Sequence, residues 1–350
     1  MRPVTTRGAT LAALLATLAR PAWWLLGLAG FLARGGILLF LLAIVTLPSP
    51  LALSNVVAPL LVPIVFGGFT PLLLALLVSG IISLAAWVVV GGWIGAATEI
   101  VLIRDARRAA AEEGLPVRRG DPSGHWLIGR VAIAHLLAHL PLAVAAALGS
   151  VAIVNVAYIE LTSPFEVATP LPIRIAAGAA GPIAAIVVAW LVGELAGGLA
   201  ARRIVLEDDS VLGAVRGGYA DLVTRPRSAT LPALITTLIL AADLAAMLAA
   251  VDLSWTAARA RLVELPPDPV AIGLALASFA ASWCLALLVA GLIDAWRGVS
   301  MTFEAERRRV AAASAEGADG PDSATEGGTY GASAHRRPGD WSAQDEGGSL

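Results

Sequence analysis

Two histidines stand four residues apart in the segment AHLLAH, at positions 135 and 139. In an α-helix this spacing puts both imidazoles on one face, one turn apart. Such a pair could ligate a metal ion or relay a proton. Position 136 is leucine, so the HExxH pattern of zinc proteases is absent. His135 and His139 are therefore candidate metal ligands outside any known catalytic motif.

Three carboxylates could join these histidines. Glu99, Glu194 and Asp294 each lie near one end of an apolar run, close to arginines. An ionised side chain inside a membrane is costly unless it faces the bundle interior and is paired. We therefore expect the carboxylates and the histidines to share one polar cluster. It could be a metal or proton-relay site, although structural pairing, for example of Glu99 with Arg104 or Arg130, is the commoner use of such groups.

Asp243 is the most isolated carboxylate of the apolar runs. It lies inside the segment LILAADLAAMLAAV, which holds no basic residue. An intramembrane ionisable residue without an obvious partner is a functional candidate by default. A transporter would need a solvated path that joins Asp243 to the predicted cluster.

The elements that must hold these groups are transmembrane helices. Of the 350 residues 58% are hydrophobic and 14% are charged, against about 25% charged in soluble domains, and the mean hydropathy is +0.80. A spanning helix needs about 20 mostly apolar residues. Six stretches qualify, at roughly 35–54, 71–102, 129–156, 174–200, 229–251 and 270–296. The sequence thus predicts an all-α, polytopic transmembrane helical bundle with interfacial amphipathic helices.

Glycine pairs recur inside two of these predicted spans. Gly91 with Gly95, and Gly193 with Gly197, have the small-xxx-small spacing that allows helices to approach closely. We expect both pairs to lie at helix–helix contacts.

The arginines predict how the chain is oriented. All 24 basic residues are arginine. Most lie in the N-terminal segment, in the loops after the second and fourth predicted spans, and beyond the sixth. The positive-inside rule places these segments, and hence both termini, in the cytoplasm. The lysine-free composition is typical of a high-GC bacterial genome, which would make this a plasma-membrane protein with arginines facing anionic lipid headgroups.

Two terminal segments are predicted to flank a bundle of residues 35–300. Within residues 1–34 the apolar stretch 8–33 lacks a convincing signal-peptide cleavage site. A seventh span here would carry Arg34 or Arg20 well inside the bilayer, at about 2.5–3.5 kcal/mol for a central arginine. A helix along the cytoplasmic interface, with its tryptophans at headgroup level, is favoured over both alternatives. Residues 301–350, rich in Gly, Ser, Ala and acids, are expected to form a disordered cytoplasmic tail.

The arginine-rich segment after the fourth predicted span contains an amphipathic helix. Asp208, Asp209 or Ser210 can cap its N-terminus, and Pro226 ends it. Its apolar residues recur at helical spacing: Val211, Leu212, Val215, Tyr219, Leu222 and Val223. Arg216 and Asp221 fall outside this stripe. We expect the helix to lie on the inner membrane surface, with the stripe in lipid or on the bundle.

A family resemblance is carried by RRIVLEDDSVLGAVRGGYADLVTRPRSATLPALI, residues 202–235. The segment begins with an arginine, which is followed by an apolar triplet and an acidic residue. An amphipathic helix with Ala-x-Arg comes next, and then a new span. This order resembles the repeated unit of uncharacterised bacterial six-span membrane proteins related to the glycerophosphoryl diester phosphodiesterase membrane domain. The resemblance implies a helical membrane module without an assigned catalytic centre, and no functional residue is carried over from it.

These observations favour a non-enzymatic membrane module in organisation, assembly or scaffolding. A small-solute transporter and an intramembrane metal-dependent enzyme are the alternatives. The single cysteine, Cys284, excludes an intramolecular disulfide and a CxxC site. The expected partner is the lipid bilayer, with no cofactor and no nucleic acid. The distances between the polar groups decide among these three functions. A transporter needs a solvated path from Asp243 to the cluster, and an enzyme needs the cluster side chains close enough to ligate one metal ion. In a scaffold, each group is paired with an arginine or with the backbone.

Overall fold

The computed structural model describes residues 6–42, 68, 70–112, 126–162, 171–225, 230–264, 266 and 268–318. The chain forms helices throughout this part and no strands, which confirms the all-α class. The helices are α1 (Thr6–Leu18), α2 (Pro21–Phe31), a π-helical segment (Leu32–Gly36), α3 (Ile37–Leu42), α4 (Pro71–Glu112), α5 (Leu127–Ala138), α6 (Leu140–Thr162), α7 (Leu171–Gly178), α8 (Ala180–Glu207), α9 (Val211–Thr224), α10 (Leu231–Leu262) and α11 (Pro269–Ala318).

Six helical stretches among the described residues are long and apolar enough to cross a membrane. They are Pro21–Leu41, Pro71–Glu112, Leu140–Glu160, Ala180–Glu207, Leu231–Leu262 and Pro269–Arg309. Six helices able to span a membrane are therefore confirmed.

The first of these stretches differs from the predicted one. It is Pro21–Leu41, whereas residues 35–54 were expected to span and residues 8–33 to lie along the interface; the part of the expected span beyond residue 42 lies outside the described residues. The prediction rejected a span containing Arg34 because of the cost of its charge. In the structure Glu99 pairs with that guanidinium, so the charge is compensated inside the protein.

Helices α4 and α11 extend well beyond the predicted spans. With 42 and 50 residues they are about 63 and 75 Å long at 1.5 Å per residue, about twice the 30 Å of a bilayer core. The prediction of disorder from residue 301 is wrong for residues 301–318, which continue α11. Phe303 and Glu306 are almost fully buried, and this burial holds the extension in place. Residues 319–350 lie outside the described part.

The helices build two regions of different character. The first, here called the packed layer, comprises α1, α2, α5 and α9 with residues 95–112, 193–207 and 291–309. Its core contains Ile103, Val131, Ile204 and Phe303, each fully buried, together with many alanines. The second, the apolar layer, comprises residues 71–94, 140–162, 171–192, 238–262 and 269–289, whose large aliphatic side chains are mostly exposed. Exposed apolar surface on this scale is the character of a lipid-facing region.

Two predicted spans are each broken in two. The helix expected over 129–156 breaks at His139, and the one expected over 174–200 breaks at Ala179. Pro141 and Pro182 follow these breaks closely. A proline lacks the N–H of the helical ladder and its ring clashes with the carbonyl four residues earlier, so neither helix continues unbroken.

The predicted amphipathic helix is present as α9. Among the three possible caps Ser210 is the one used, and its hydroxyl accepts from the Gly213 N–H at 3.2 Å. α9 packs antiparallel on α8, with Gly218 against the backbone of Ala196 and Ala200.

The predicted apolar stripe of α9 faces the bundle in part. Val215 is buried, and Val211, Tyr219 and Leu222 pack against the core, whereas Leu212 and Val223 are exposed. The other buried residues of α9 are Ala214, Gly218 and Asp221. Asp221 can face inward because Arg203 of α8 donates a hydrogen bond to its carboxylate. The absence of a side chain at Gly218 lets the two helices approach closely.

Candidate functional site: a buried ion-pair cluster

Glu99, on α4, is the centre of a buried polar cluster in the packed layer. Its Oε2 lies 2.7 Å from His135 Nε2 and also accepts a hydrogen bond from Arg34. Its Oε1 accepts from Arg202 Nη1 at 2.9 Å. Both oxygens are thus engaged, and the carboxylate joins α4 to the π-helical segment, to α5 and to α8.

Glu194, on α8, forms the second half of the same cluster. Its Oε2 lies 3.2 Å from Arg297 Nη1 and 4.0 Å from Arg34 Nη1, and its Oε1 lies 3.8 Å from His139 Nε2. Arg297 Nη2 in turn lies 2.8 Å from Asp294 Oδ1. Arg34 therefore bridges the two glutamates, and α11 joins the cluster through Asp294 and Arg297.

Arg202 also ties the cluster to the backbone. Beyond Glu99 it donates to the carbonyl of Gly198 at 2.6 Å and to that of Gly298 at 2.8 Å. Charge-assisted hydrogen bonds of this kind are stronger than neutral ones. One guanidinium thus joins a side chain of α4 to the main chains of α8 and α11.

Glycines make room for the two imidazoles. A Cβ on Gly197 would lie 2.6 Å from His135 Nδ1, and one on Gly193 would lie 3.0 Å from His139 Cδ2. The glycine pair of α8 was expected to lie at a helix–helix contact. Its Cα atoms indeed face α5, and the space they leave is filled by the histidine rings. In the same way, Gly95 of α4 faces the side chain of Arg34.

Two cluster residues sit where the helical ladder is interrupted. Arg34 belongs to the π-helical segment, next to Gly35 with φ 106°, a conformation in which glycine is much preferred. His139 is the residue at which α5 gives way to α6, and its Nδ1 lies 2.8 Å from the carbonyl oxygen of His135. Irregular backbone therefore points both side chains toward the two glutamates.

The cluster is balanced in charge. Three carboxylates, Glu99, Glu194 and Asp294, meet three guanidiniums, Arg34, Arg202 and Arg297, with two imidazoles beside them. A cavity of about 30 Å³ opens at its centre, where Thr98 and Thr237 contribute hydroxyls. That volume accommodates about two water molecules.

Five of the six candidate residues are brought together here. Glu99, His135, His139, Glu194 and Asp294 all take part. Asp243 does not: it lies on α10 in the apolar layer, about 9 Å along the helix axis from Thr237. Its Oδ2 is buried and has no hydrogen-bond partner among the described residues.

Sequence reasoning missed the arginines that complete the cluster. Arg34 was set aside as part of an interfacial segment, and Arg202 and Arg297 were assigned to loops. The expected pairing of Glu99 with Arg130 is wrong, because Arg130 pairs with Asp208 at 2.7 Å; the guanidiniums found at Glu99 are those of Arg34 and Arg202, whereas Arg104 had been the other candidate. The available signal was the position of each missed arginine at the end of an apolar run.

The two histidines were also candidate metal ligands. Among the described residues, no group of three or more His, Cys, Asp or Glu side chains is arranged to hold a metal ion. The physical reason is that guanidiniums already occupy the carboxylate oxygens that would complete a ligand set. The distances therefore favour ion pairing at this place.

The break between α5 and α6 is closed by a tyrosine from α9. The Tyr219 hydroxyl donates to the carbonyl of Ala138 at 2.7 Å, a group next to the break at His139. Burial raises the pKa of the Tyr219 phenol, because removal from water disfavours the phenolate.

No protein-family model, curated protein or solved structure matches the chain. The resemblance of residues 202–235 to six-span membrane proteins accordingly stays a prediction.

Proposed function

We propose that the protein is a non-enzymatic membrane module whose packed layer holds the ends of its spanning helices in one fixed arrangement. The observation that carries this proposal is the balanced cluster around Glu99 and Glu194. Each carboxylate faces at least one guanidinium, and Arg202 also binds two main-chain carbonyls. A buried polar network in which every carboxylate is paired favours one arrangement of the surrounding elements, and Arg202 Nε alone in this cluster is buried without a hydrogen-bond partner among the described residues. The resemblance noted for residues 202–235, which implies a module without a catalytic centre, supports the same conclusion.

The proposal is tested by proton flux in proteoliposomes that enclose a pH-sensitive dye. A module of this kind leaves the internal pH response to an external pH jump equal to that of protein-free vesicles. A faster response with the wild-type protein, abolished by Glu194→Gln, contradicts it. Leu212→Gln, an exposed position of α9, serves as the matched control because it is far from the cluster contacts.

A plasma-membrane location with cytoplasmic termini forms part of the proposal. Its support is the arginine distribution, since the packed layer contains most of the loop arginines and anionic headgroups attract such residues on the inner side. Single cysteines at Leu212 and Val263, both strongly exposed, test it in a Cys284→Ser background. In intact cells an impermeant thiol reagent should label position 263 and spare position 212. The opposite pattern inverts the orientation.

A proton-coupled transporter for a small solute is the second candidate. It is favoured by the two imidazole–carboxylate pairs, whose carboxylates, Glu99 and Glu194, line the cavity. It is also favoured by the interrupted helices that hold Arg34 and His139. Helix discontinuities at polar sites are common where transporters bind ions and substrates. The same flux measurement supports this candidate if proton movement requires both His135 and Glu194.

A further inference from the structure

A second charged site lies around Asp221 on the buried face of α9. Its Oδ2 accepts a hydrogen bond from Arg203 at 3.0 Å. Arg308 Nη1 lies 3.7 Å from that same oxygen, and Arg225 Nη1 lies 3.9 Å from Oδ1. Three guanidiniums from α8, α11 and the end of α9 therefore converge on one carboxylate.

This site differs from the Glu99 cluster because its charges do not balance. Arg203 is compensated on its other side by Asp209 at 3.8 Å and Glu207 at 3.9 Å. Asp221 is then the one carboxylate within ion-pair distance of Arg225 and Arg308 among the described residues. The Glu304 carboxylate also attracts Arg308, but it is already paired with Arg307 at 2.6 Å. The guanidiniums of Arg225 and Arg203 repel that of Arg308. A surplus of positive charge remains.

The surplus donors are also free to bind. Both distances to Asp221 exceed hydrogen-bond length. Within the described part of the chain, the Arg225 guanidinium has no hydrogen-bond acceptor, and Arg308 donates one long bond, at 3.4 Å, to the carbonyl of Glu304. The Arg225 side chain is 59% exposed, so a ligand can reach it from outside.

We propose that Arg225 and Arg308 bind a phosphate group beside the Arg203–Asp221 pair. The planar guanidinium fork matches the oxygens of a phosphate, and a monoanionic group neutralises the local surplus. The phosphate could belong to an anionic phospholipid headgroup or to a soluble phosphate compound. The site is independent of whether the Glu99 cluster serves a scaffold or a transporter.

The test follows the thermal unfolding midpoint of the full-length protein in a non-ionic detergent at constant ionic strength. One arm adds dihexanoyl phosphatidylglycerol, another inorganic phosphate, and dihexanoyl phosphatidylcholine controls for the acyl chains. A ligand that binds only the folded state raises the midpoint saturably, which yields an apparent Kd. Saturation with phosphatidylglycerol alone identifies a headgroup site, and saturation with inorganic phosphate identifies a soluble ligand. Absence of saturation in both arms overturns the proposal.

Single substitutions show which arginines bind the phosphate group. Arg225→Gln and Arg308→Gln should each weaken binding about tenfold or more, as expected for the loss of a charged hydrogen bond. Arg216→Gln is the matched control, because Arg216 is exposed on another face of α9 and has no ion pair among the described residues. Asp221→Asn should tighten binding, since it removes the competing carboxylate. Equal losses from Arg225→Gln and Arg216→Gln would show only general attraction to arginines and overturn the assigned site.

Discussion

The packed layer and the apolar layer share three helices, yet they are stabilised in different ways. α4, α8 and α11 pass through both. In the packed layer they bury alanines, aliphatic side chains and paired ions, whereas in the apolar layer residues such as Ile81, Val151 and Leu274 are largely exposed. The first region resembles the interior of a water-soluble helical protein. The second has the surface expected of helices surrounded by lipid.

The difference explains why a chain with so much apolar sequence keeps so many arginines. Helices α4 and α11, about 63 and 75 Å long, are longer than a bilayer core requires. The turns outside the core must therefore pack against other helices of the protein. Alanine and glycine let these turns approach closely. Arginine then reaches across the contacts to carboxylates and to main-chain carbonyls such as those of Gly198 and Gly298.

The largest expected effect is the difference in unfolding free energy between removing a carboxylate charge from the packed layer and removing one from the apolar layer. Glu99→Gln leaves Arg202 without a carboxylate and Arg34 with Glu194 alone, and should cost about 3–5 kcal/mol of unfolding free energy. Asp243→Asn is the matched change in the apolar layer, where the carboxylate has no hydrogen-bond partner for Oδ2 among the described residues. It should be neutral or stabilising, because the charge of a partly buried carboxylate, with no ion-pair partner among the described residues, is lost. Denaturant titration in nanodiscs measures the unfolding free energy of both variants. Equal losses of unfolding free energy would contradict the distinction between the two layers.

The next largest effect is expected from glycine-to-alanine substitutions, which compare helix packing in the two layers. A Cβ on Gly27 would collide with the backbone oxygen of Gly291 and lie 2.7 Å from the nitrogen of Ala295. Gly27→Ala should therefore separate α2 from α11, at about 1–3 kcal/mol for overpacking. At Gly80, in the apolar layer, a Cβ meets nothing within 4 Å. Gly80→Ala should not lower the unfolding midpoint, so a comparable loss there would show unrecognised contacts along α4.

Tyr219 offers a test with its own pH dependence. Tyr219→Phe leaves the Ala138 carbonyl without its donor and should cost about 1–3 kcal/mol. Because burial raises the pKa of Tyr219 above the usual value of 10.0, folding favours the protonated phenol. Its contribution is complete below pH 10 and falls as the pH rises through the folded-state pKa. Wild-type stability should thus decline more steeply above pH 10 than that of Tyr219→Phe, and parallel curves would argue against a buried phenol.

Much of the fold follows from local sequence signals, and the site follows only in part. Apolar length predicts six helices able to span, and hydroxyl chemistry predicts a cap near Ser210. The carboxylates and histidines are recognisable because polar groups in apolar runs must be paired. The choice of partner is not local: Arg34 and Glu99 meet across 65 residues of sequence, and Arg202 reaches Glu99 across 103. Hydrophobic periodicity also misplaced Asp221, because a paired carboxylate can occupy a buried face that the pattern assigns to apolar residues.

The smallest expected effect concerns the start of α9, where local sequence and packing meet. Ser210 caps the helix through the Gly213 N–H, and it follows the tight reversal in which Asp208 adopts φ 54°. Ser210→Ala should cost about 1 kcal/mol, since one N-terminal donor loses its acceptor, while Ser210→Asp should restore most of it. At the level of single amides, hydrogen exchange should rise at Gly213 and Ala214 and stay unchanged in α5. Faster exchange in α5 as well would mean that α9 and the rest of the packed layer open as one unit.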